Sequence, residues 1–291
     1  MSRRRVWILL LALLTAAAAA ALVFVRTSPP PQLPRRPPPR NLYAPATEEQ
    51  RIRDRLFELL QPVTITNCRL ERFGEANDGG YLLCGNLLRD VKSGYSYGIS
   101  GYDGWGCEVS RTRRIPVHQY DCFDTRQPEC PSGKTIFHGE CVGTEKATID
   151  GRPFDTIQHQ IVANGDAGQR LVVKMDVEGA EWEAFLQTPP EVLDRIDQMA
   201  VEFHGVRSAR FVAALEKLRE TFHVAHFHMN NYSCQPGLDP FPGWAYEVLF
   251  VNRRIAVADG SFASAAPHAL DAPNNPAIAD CQPARRAASG R

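Results

Sequence analysis

The chain has 291 residues, 44% apolar and 23% charged, and its 33 basic and 33 acidic side chains cancel. That length holds one good-sized domain plus extensions, and the composition is that of a globular protein. A balanced charge builds no global field, which removes nucleic acid and other polyanions as implied partners.

Arg3, Arg4 and Arg5 precede an unbroken apolar run over residues 6–25. Twenty residues rising about 1.5 Å each cross about 30 Å, the thickness of a bilayer core. The expectation is a transmembrane signal anchor over 6–25 behind a cytoplasmic tail of residues 1–5. A signal peptide cleaved near the Ala16–Ala21 run is the alternative, and would leave a secreted chain. Arg26, Arg35, Arg36 and Arg40 nearly balance the first cluster, so basic residues do not set the orientation. The eight cysteines do: with no CxxC pair among them, they argue against zinc and for disulfides. The body is therefore expected in the lumen, as in a type II single-pass protein of the Golgi or ER. Residues 26–40 are rich in proline and read as an extended stem.

The body is expected over residues 41–255. Thr47 with Gln50 has the form of a capping box, and Ile52, Leu56, Phe57, Leu59 and Leu60 give the following helix an apolar face until Pro62 stops it. Residues 63–70 read as a strand. Asn77-Asp78-Gly79-Gly80 is a turn by composition, with Asp78 as turn former, leading into a short strand over 81–84. Residues 93–99 read as the first strand of a cofactor-binding half, running into glycines 98, 101, 104 and 106 that let backbone approach a ligand closely. A short helix over 109–114 leads to a second strand over 117–123. Asp121 ends it, about 20 residues past the glycine turn, where an acid can accept hydrogen bonds from a ribose. A third strand is expected over 134–138. Cys130 and Cys141 flank it and could pair, although spacing alone leaves connectivity open. Residues 155–162 read as helix.

The fourth strand is the clearest. Leu171, Val172, Val173, Met175 and Val177 form an apolar run suited to burial on both faces. Gly179 then turns the chain into a helix. Glu181 and Glu183 read as acids complementing that helix's dipole, whereas Asp176 stands at the carboxyl end of the strand, where open α/β sheets bind ligands. Residues 197–203 read as a fifth strand, ending near Glu202 and His204. A helix over 208–222 places Phe211, Val212, Leu215 and Leu218 on one face. Strands over 223–229, with three histidines, and over 245–252 complete a doubly wound, mostly parallel α/β sheet. Asn231-Tyr232-Ser233 is a glycosylation sequon. Residues 256–291 are rich in alanine and proline and read as an irregular tail.

The segment KMDVEGAEWEAF resembles the strand-turn-helix signature of FkbM-like S-adenosylmethionine-dependent methyltransferases. With DGGYLLC ahead of the cofactor half and the LDAPNNP tail, the chain is similar to the methyltransferase-like protein 24 group. The resemblance implies a Rossmann-like class I methyltransferase fold, S-adenosylmethionine as cofactor, and contacts to it from Gly98, Gly101, Asp103, Asp121, Cys122 and Asp176. It further implies methyl transfer to oxygen or nitrogen of a small-molecule or glycan acceptor. The chain departs from the wider methyltransferase pattern at Ser96 and Tyr97, where an acidic residue is common. A lumenal glycosyltransferase shares the anchor-and-stem plan, but YDCFD does not supply its Asp-any-Asp metal spacing. A non-catalytic lumenal domain is the other alternative.

The strand ends place Asp176, Glu202, His204 and His228 at one edge, as candidate catalytic residues facing an acceptor pocket. Two roles are open. They could hold a divalent metal that acidifies an acceptor hydroxyl. Alternatively, a histidine acts alone as general base with a carboxylate fixing its tautomer.

Overall fold

The computed structural model describes residues 46–263 and 267–281. The expected cytoplasmic tail, signal anchor and stem lie outside the described residues. Among those described, no helix is long and apolar enough to cross a membrane.

Helix α1 (Glu48–Leu59) is capped by Thr47, whose hydroxyl accepts from Gln50 N at 3.2 Å. The reciprocal half of the capping box is not made, because the Gln50 amide turns to Asp54 and to the Asp239 carbonyl. Strand β1 (Val63–Ile65) is followed by a hairpin of β2 (Leu70–Phe73) and β3 (Tyr81–Cys84). Then come β4 (Ser93–Tyr97), α2 (Gly104–Arg113), β5 (Pro116–Tyr120) and β6 (Lys134–His138). A small sheet of β7 (Cys141–Val142), β8 (Ala147–Ile149) and β9 (Arg152–Asp155) leads into α3 (Ile157–Ala163). Next are β10 (Leu171–Met175), α4 (Glu181–Gln187), α5 (Pro190–Leu193), β11 (Ile196–His204) and α6 (Ala209–Thr221). The chain continues through β12 (Phe222–Met229), β13 (Ala245–Asn252) and β14 (Ala258–Phe262).

Seven strands form the central sheet in the order β12-β13-β11-β10-β4-β5-β6. The pairs from β11 to β6 are parallel, and β13 runs antiparallel to both β11 and β12. The chain winds outward from β4 to β6 on one side and from β10 to β11 on the other. The order therefore reverses between β4 and β10, which is where such sheets leave a crevice.

All five residues of β10 are buried, as the apolar run requires. Alternate side chains serve opposite faces. Val173 and Met175 join Leu56, Trp182, Phe185, Leu215 and Leu218 in the larger core, under α1, α4 and α6. Val172 joins Trp105, Val109, Tyr81 and Leu83 in the smaller one. That second face is covered by α2, the β2–β3 hairpin and strand ends, so the winding is less helical there than the sequence pattern suggests. The short sheet β7–β9 and strand β14 are additions to the expected plan. Strand β14 turns part of the expected irregular tail into the antiparallel partner of β1.

All eight cysteines are paired: Cys68–Cys84, Cys107–Cys130, Cys122–Cys141 and Cys234–Cys281. The pairing suggested for Cys130 and Cys141 is thus replaced by two separate bridges. Four disulfides place the body in an oxidising environment, lumenal or secreted.

Candidate active site

At the reversal point β4 and β10 end side by side. Gly98 sits at a φ of +70°, and a Cβ there would lie 1.6 Å from the Asp176 carbonyl oxygen. Only glycine permits this approach. The strand ends open into a cavity of about 210 Å³. Its walls come from Tyr97, Gly98 and Ser100 after β4, Tyr120, Asp121 and Phe123 after β5, and Asp176 and Glu178 after β10. Cys141 and Phe154 close the side contributed by the small sheet. The hydroxyl of Tyr97, in this wall, is buried and has no hydrogen-bond partner among the described residues.

Asp121 reaches this cavity, but the backbone already occupies it. One oxygen accepts from Ile99 N (3.0 Å) and Ser100 N (2.8 Å), the other from Phe123 N (2.8 Å) and Asp124 N (3.0 Å). An ionised carboxylate offers about four acceptor sites, so none is left for the expected ribose contact. Asp121 instead ties the two loops of the cavity together. Asp103 is the N-cap of α2, buried between Gly106 N and the Gln119 amide, both at 2.8 Å, and is not among the residues lining this cavity. Gly101 is likewise absent from the wall and makes a turn at φ +74° beside Asp124 and Arg126. Cys122 contributes through its disulfide partner, Cys141.

Beside the cavity a polar row crosses the sheet. Asp176 continues the face of Lys174, and on β11 the period of two brings Glu202 and His204 to that same face. The Lys174 ammonium donates to the Gly98 carbonyl at 2.7 Å and stands 3.8 Å from Asp176 Oδ2. His204 is the centre of the row. Its Nδ1 meets Glu181 Oε1 at 2.9 Å, and Nε2 lies 3.4 Å from Glu178, 3.7 Å from Glu202 and 3.9 Å from Asp176. The Tyr81 hydroxyl donates towards Asp176 (3.3 Å) and Glu202 (3.4 Å), and the Asn230 amide donates to Glu202 at 2.6 Å. Trp182 Nε1 donates to the His204 carbonyl at 2.8 Å. Its ring stacks on Phe203 and Phe211, which fixes this end of β11.

Glu181 owes its position to a missing cap. Ala180 has no side chain to cap α4. The Glu181 carboxylate bends back instead, and Oε1 accepts from Val177 N and Gly179 N, both at 3.1 Å, as well as facing His204. The side chain is wholly buried. Its neighbour Glu183 points outward and pairs with Arg210.

These contacts set the protonation states. Burial, then the charges of Asp176 and Glu247, push Glu202 well above the usual carboxylate range. Burial alone would lower His204. The hydrogen bond to Glu181 and the charges of Glu181, Glu202 and Asp176 outweigh it and raise the imidazole to about 9. At neutral pH His204 is therefore an imidazolium held among acids.

The fourth expected member, His228, is elsewhere. Strand β13 separates β12 from β11, so Glu247 stands between Glu202 and His228 across the register. Two strand spacings put His228 about 10 Å away, where it meets Glu247 (3.9 Å) and Asp280 (3.4 Å). The neighbouring His226 pairs with Asp271 at 2.9 Å. Asp271 and Asp280 come from the tail, which Cys234–Cys281 pins to the body. Asn274 adds hydrogen bonds to Asp78 (3.0 Å) and Glu247 (2.8 Å). The sequon asparagine, Asn231, is buried and donates to the Asn275 and Ile278 carbonyls of the same tail.

A second cavity of about 410 Å³ is lined by Gly205, the residue after His204, and by Arg207, Phe211, Gln235 and Trp244. The Trp244 ring is 6.0 Å from that of His204. A larger open groove of about 620 Å³ follows α2 but contains none of the residues around His204. The clustered chemistry therefore lies at the sheet edge. Sequence reasoning missed Tyr81, Lys174, Glu181 and Asn230 as parts of it. For Lys174 alone a signal was available, since a lysine inside a buried strand requires a polar partner. No family model matches the chain, and no curated protein matches it.

Proposed function

We propose that the chain is an S-adenosylmethionine-dependent methyltransferase of Rossmann-like class I architecture, as its sequence motifs imply, acting on an oxygen or nitrogen acceptor such as a glycan hydroxyl. One observation carries this reading. The crevice at the reversal point shares the wall residue Asp176 with an acid–imidazole cluster. A ligand in that crevice lies against Asp176, and Asp176 stands 3.9 Å from His204 Nε2.

The residues of the first cavity suit the cofactor. It offers a glycine where backbone must be approached closely, an aromatic wall, and the unpartnered Tyr97 hydroxyl. When bound, S-adenosylmethionine supplies a methyl group on a sulfonium that leaves readily. The protein's share is then mostly placement. Gly98 and the loops tied by Asp121 shape the crevice, and the acids around His204 favour a cationic centre beside Asp176. Glu181 fixes the imidazole through Nδ1, and His204 and Lys174 hold Asp176 in place. An attacking hydroxyl must lose its proton, and the carboxylates of Asp176 and Glu178, 3.9 and 3.4 Å from Nε2, are placed to accept it. The second cavity, walled by Trp244 and Phe211, receives the body of the acceptor.

Calorimetric titration of the purified chain with S-adenosylmethionine tests this. Binding at one site per chain is the expected result, and Asp176→Asn should keep that affinity while losing about a hundredfold or more in methyl transfer. A folded, fully oxidised chain that binds no cofactor refutes the proposal.

A further inference from the structure

We infer that Asp176, Glu181 and His204 form a site for one divalent cation of the manganese or magnesium class. Each of these side chains offers a ligand atom, and the three atoms lie within 4.8 Å of one another. An ion has ligand distances of about 2.0–2.2 Å, so its donors stand about 3–4 Å apart and small side-chain turns close the site. The inference deepens the methyl-transfer reading and rests on it for the ion's purpose.

The acids alone would not make a site. The second observation is Glu181. It is wholly buried on α4, its Oε1 is taken by two backbone amides and His204, and its Oε2 has no hydrogen-bond partner among the described residues. A carboxylate oxygen without a partner in a buried place costs free energy unless something cationic comes to it. Glu178 stands 3.4 Å from His204 Nε2 and adds a further carboxylate beside the position. Two carboxylates with one imidazole, whose Nε2 proton is released to solvent as the ion enters, suit a hard to borderline ion, and the absence of cysteine from the set disfavours a soft one. The Val177 and Gly179 amides and Trp182 fix Glu181 and His204 from behind, as outer partners fix metal ligands. An ion here would bind an acceptor hydroxyl and lower its pKa. The released proton then passes to Glu178, the solvent-facing carboxylate of the group.

Titration of the metal-free chain with Mn²⁺, followed by electron paramagnetic resonance in the absence of S-adenosylmethionine, tests the site. One bound ion per chain is expected. His204→Ala and Asp176→Asn should weaken it tenfold or more, and Glu181→Gln by about 10–100-fold. Circular dichroism identifies any variant that does not fold, and the exposed Glu178→Gln serves as a folded control with a smaller loss. No stoichiometric binding to the parent, or binding unchanged in folded variants, overturns the inference. Cofactor titration in chelator separates the two readings. Cofactor binding without Mn²⁺ binding removes the metal and leaves the acids to serve the sulfonium. Mn²⁺ binding without cofactor binding keeps the site and removes the methyltransferase.

Discussion

Replacing Asp121 by asparagine separates a ribose-holding role from the loop-tying role seen in the structure. The parent carboxylate accepts four backbone amides, two on each oxygen. Asparagine keeps one oxygen and turns an NH₂ group towards the other pair, so two charge-assisted bonds are lost. Each is worth about 1.5–3 kcal/mol, giving an upper range of about 3–6 kcal/mol. The Ser100, Phe123 and Asp124 amides are partly open to water, which places the expected loss near the lower end. For a body of this size about 3 kcal/mol lowers Tm by roughly 6–12 °C. Urea unfolding of parent and variant, with cofactor titration on both, measures the two effects side by side. Loss of stability together with loss of affinity is expected, because the loops that shape the cavity loosen. Unchanged stability with weakened cofactor binding would refute the loop-tying account and restore the ribose contact.

Three other outcomes follow from the same geometry. Burial lowers His228, but contact with Glu247 and the charges of Asp271 and Asp280 raise it to about 9. Its contribution is complete below pH 6.5 and fades as pH rises to about 9, so the stability gap between parent and His228→Gln should shrink across that window, by at most about 3 kcal/mol. Unfolding free energies at pH 6, 7.5 and 9 check the slope, and a constant gap would contradict it. Removing Cys234–Cys281 by double serine substitution releases a loop with a sequence separation of 47, and the chain-entropy account gives a loss of up to about 4 kcal/mol, readable as a lower denaturant midpoint. Finally, folded chain from a glycosylating host should carry no glycan on Asn231 by mass mapping, because that side chain is buried under the tail.

Much of the framework was readable in advance, and the reasons are local. Residues 134–138 and 245–252 have strand signals bounded by turns, and both match the observed β6 and β13. The strand-end reading grouped Glu202 with His204, and the two side chains stand 3.7 Å apart. What remained hidden depends on how elements meet. Glu181 and Glu183 look alike in sequence; the rotation of α4 buries one against His204 and leaves the other on Arg210. His228 lies at the expected edge but two strands out, because β13 enters between β11 and β12. Asp121 stands where a strand-end acid was expected, yet its task is decided by amides that the sequence does not rank against a ligand. Strands β8 and β14 have mostly exposed residues and weak apolar alternation, so packing rather than pattern defines them.

The pairing of β1 with β14 joins Val63 to Phe262 across nearly the whole body. A chain emerging from the ribosome therefore holds its first strand unpaired until almost all of it has been made. Contacts between such distant residues form late and slowly, since loop closure comes before any reward. The tail acids that meet His226 and His228 arrive later still. A protein cut short before Phe262 leaves β1 without its partner and open to other strands.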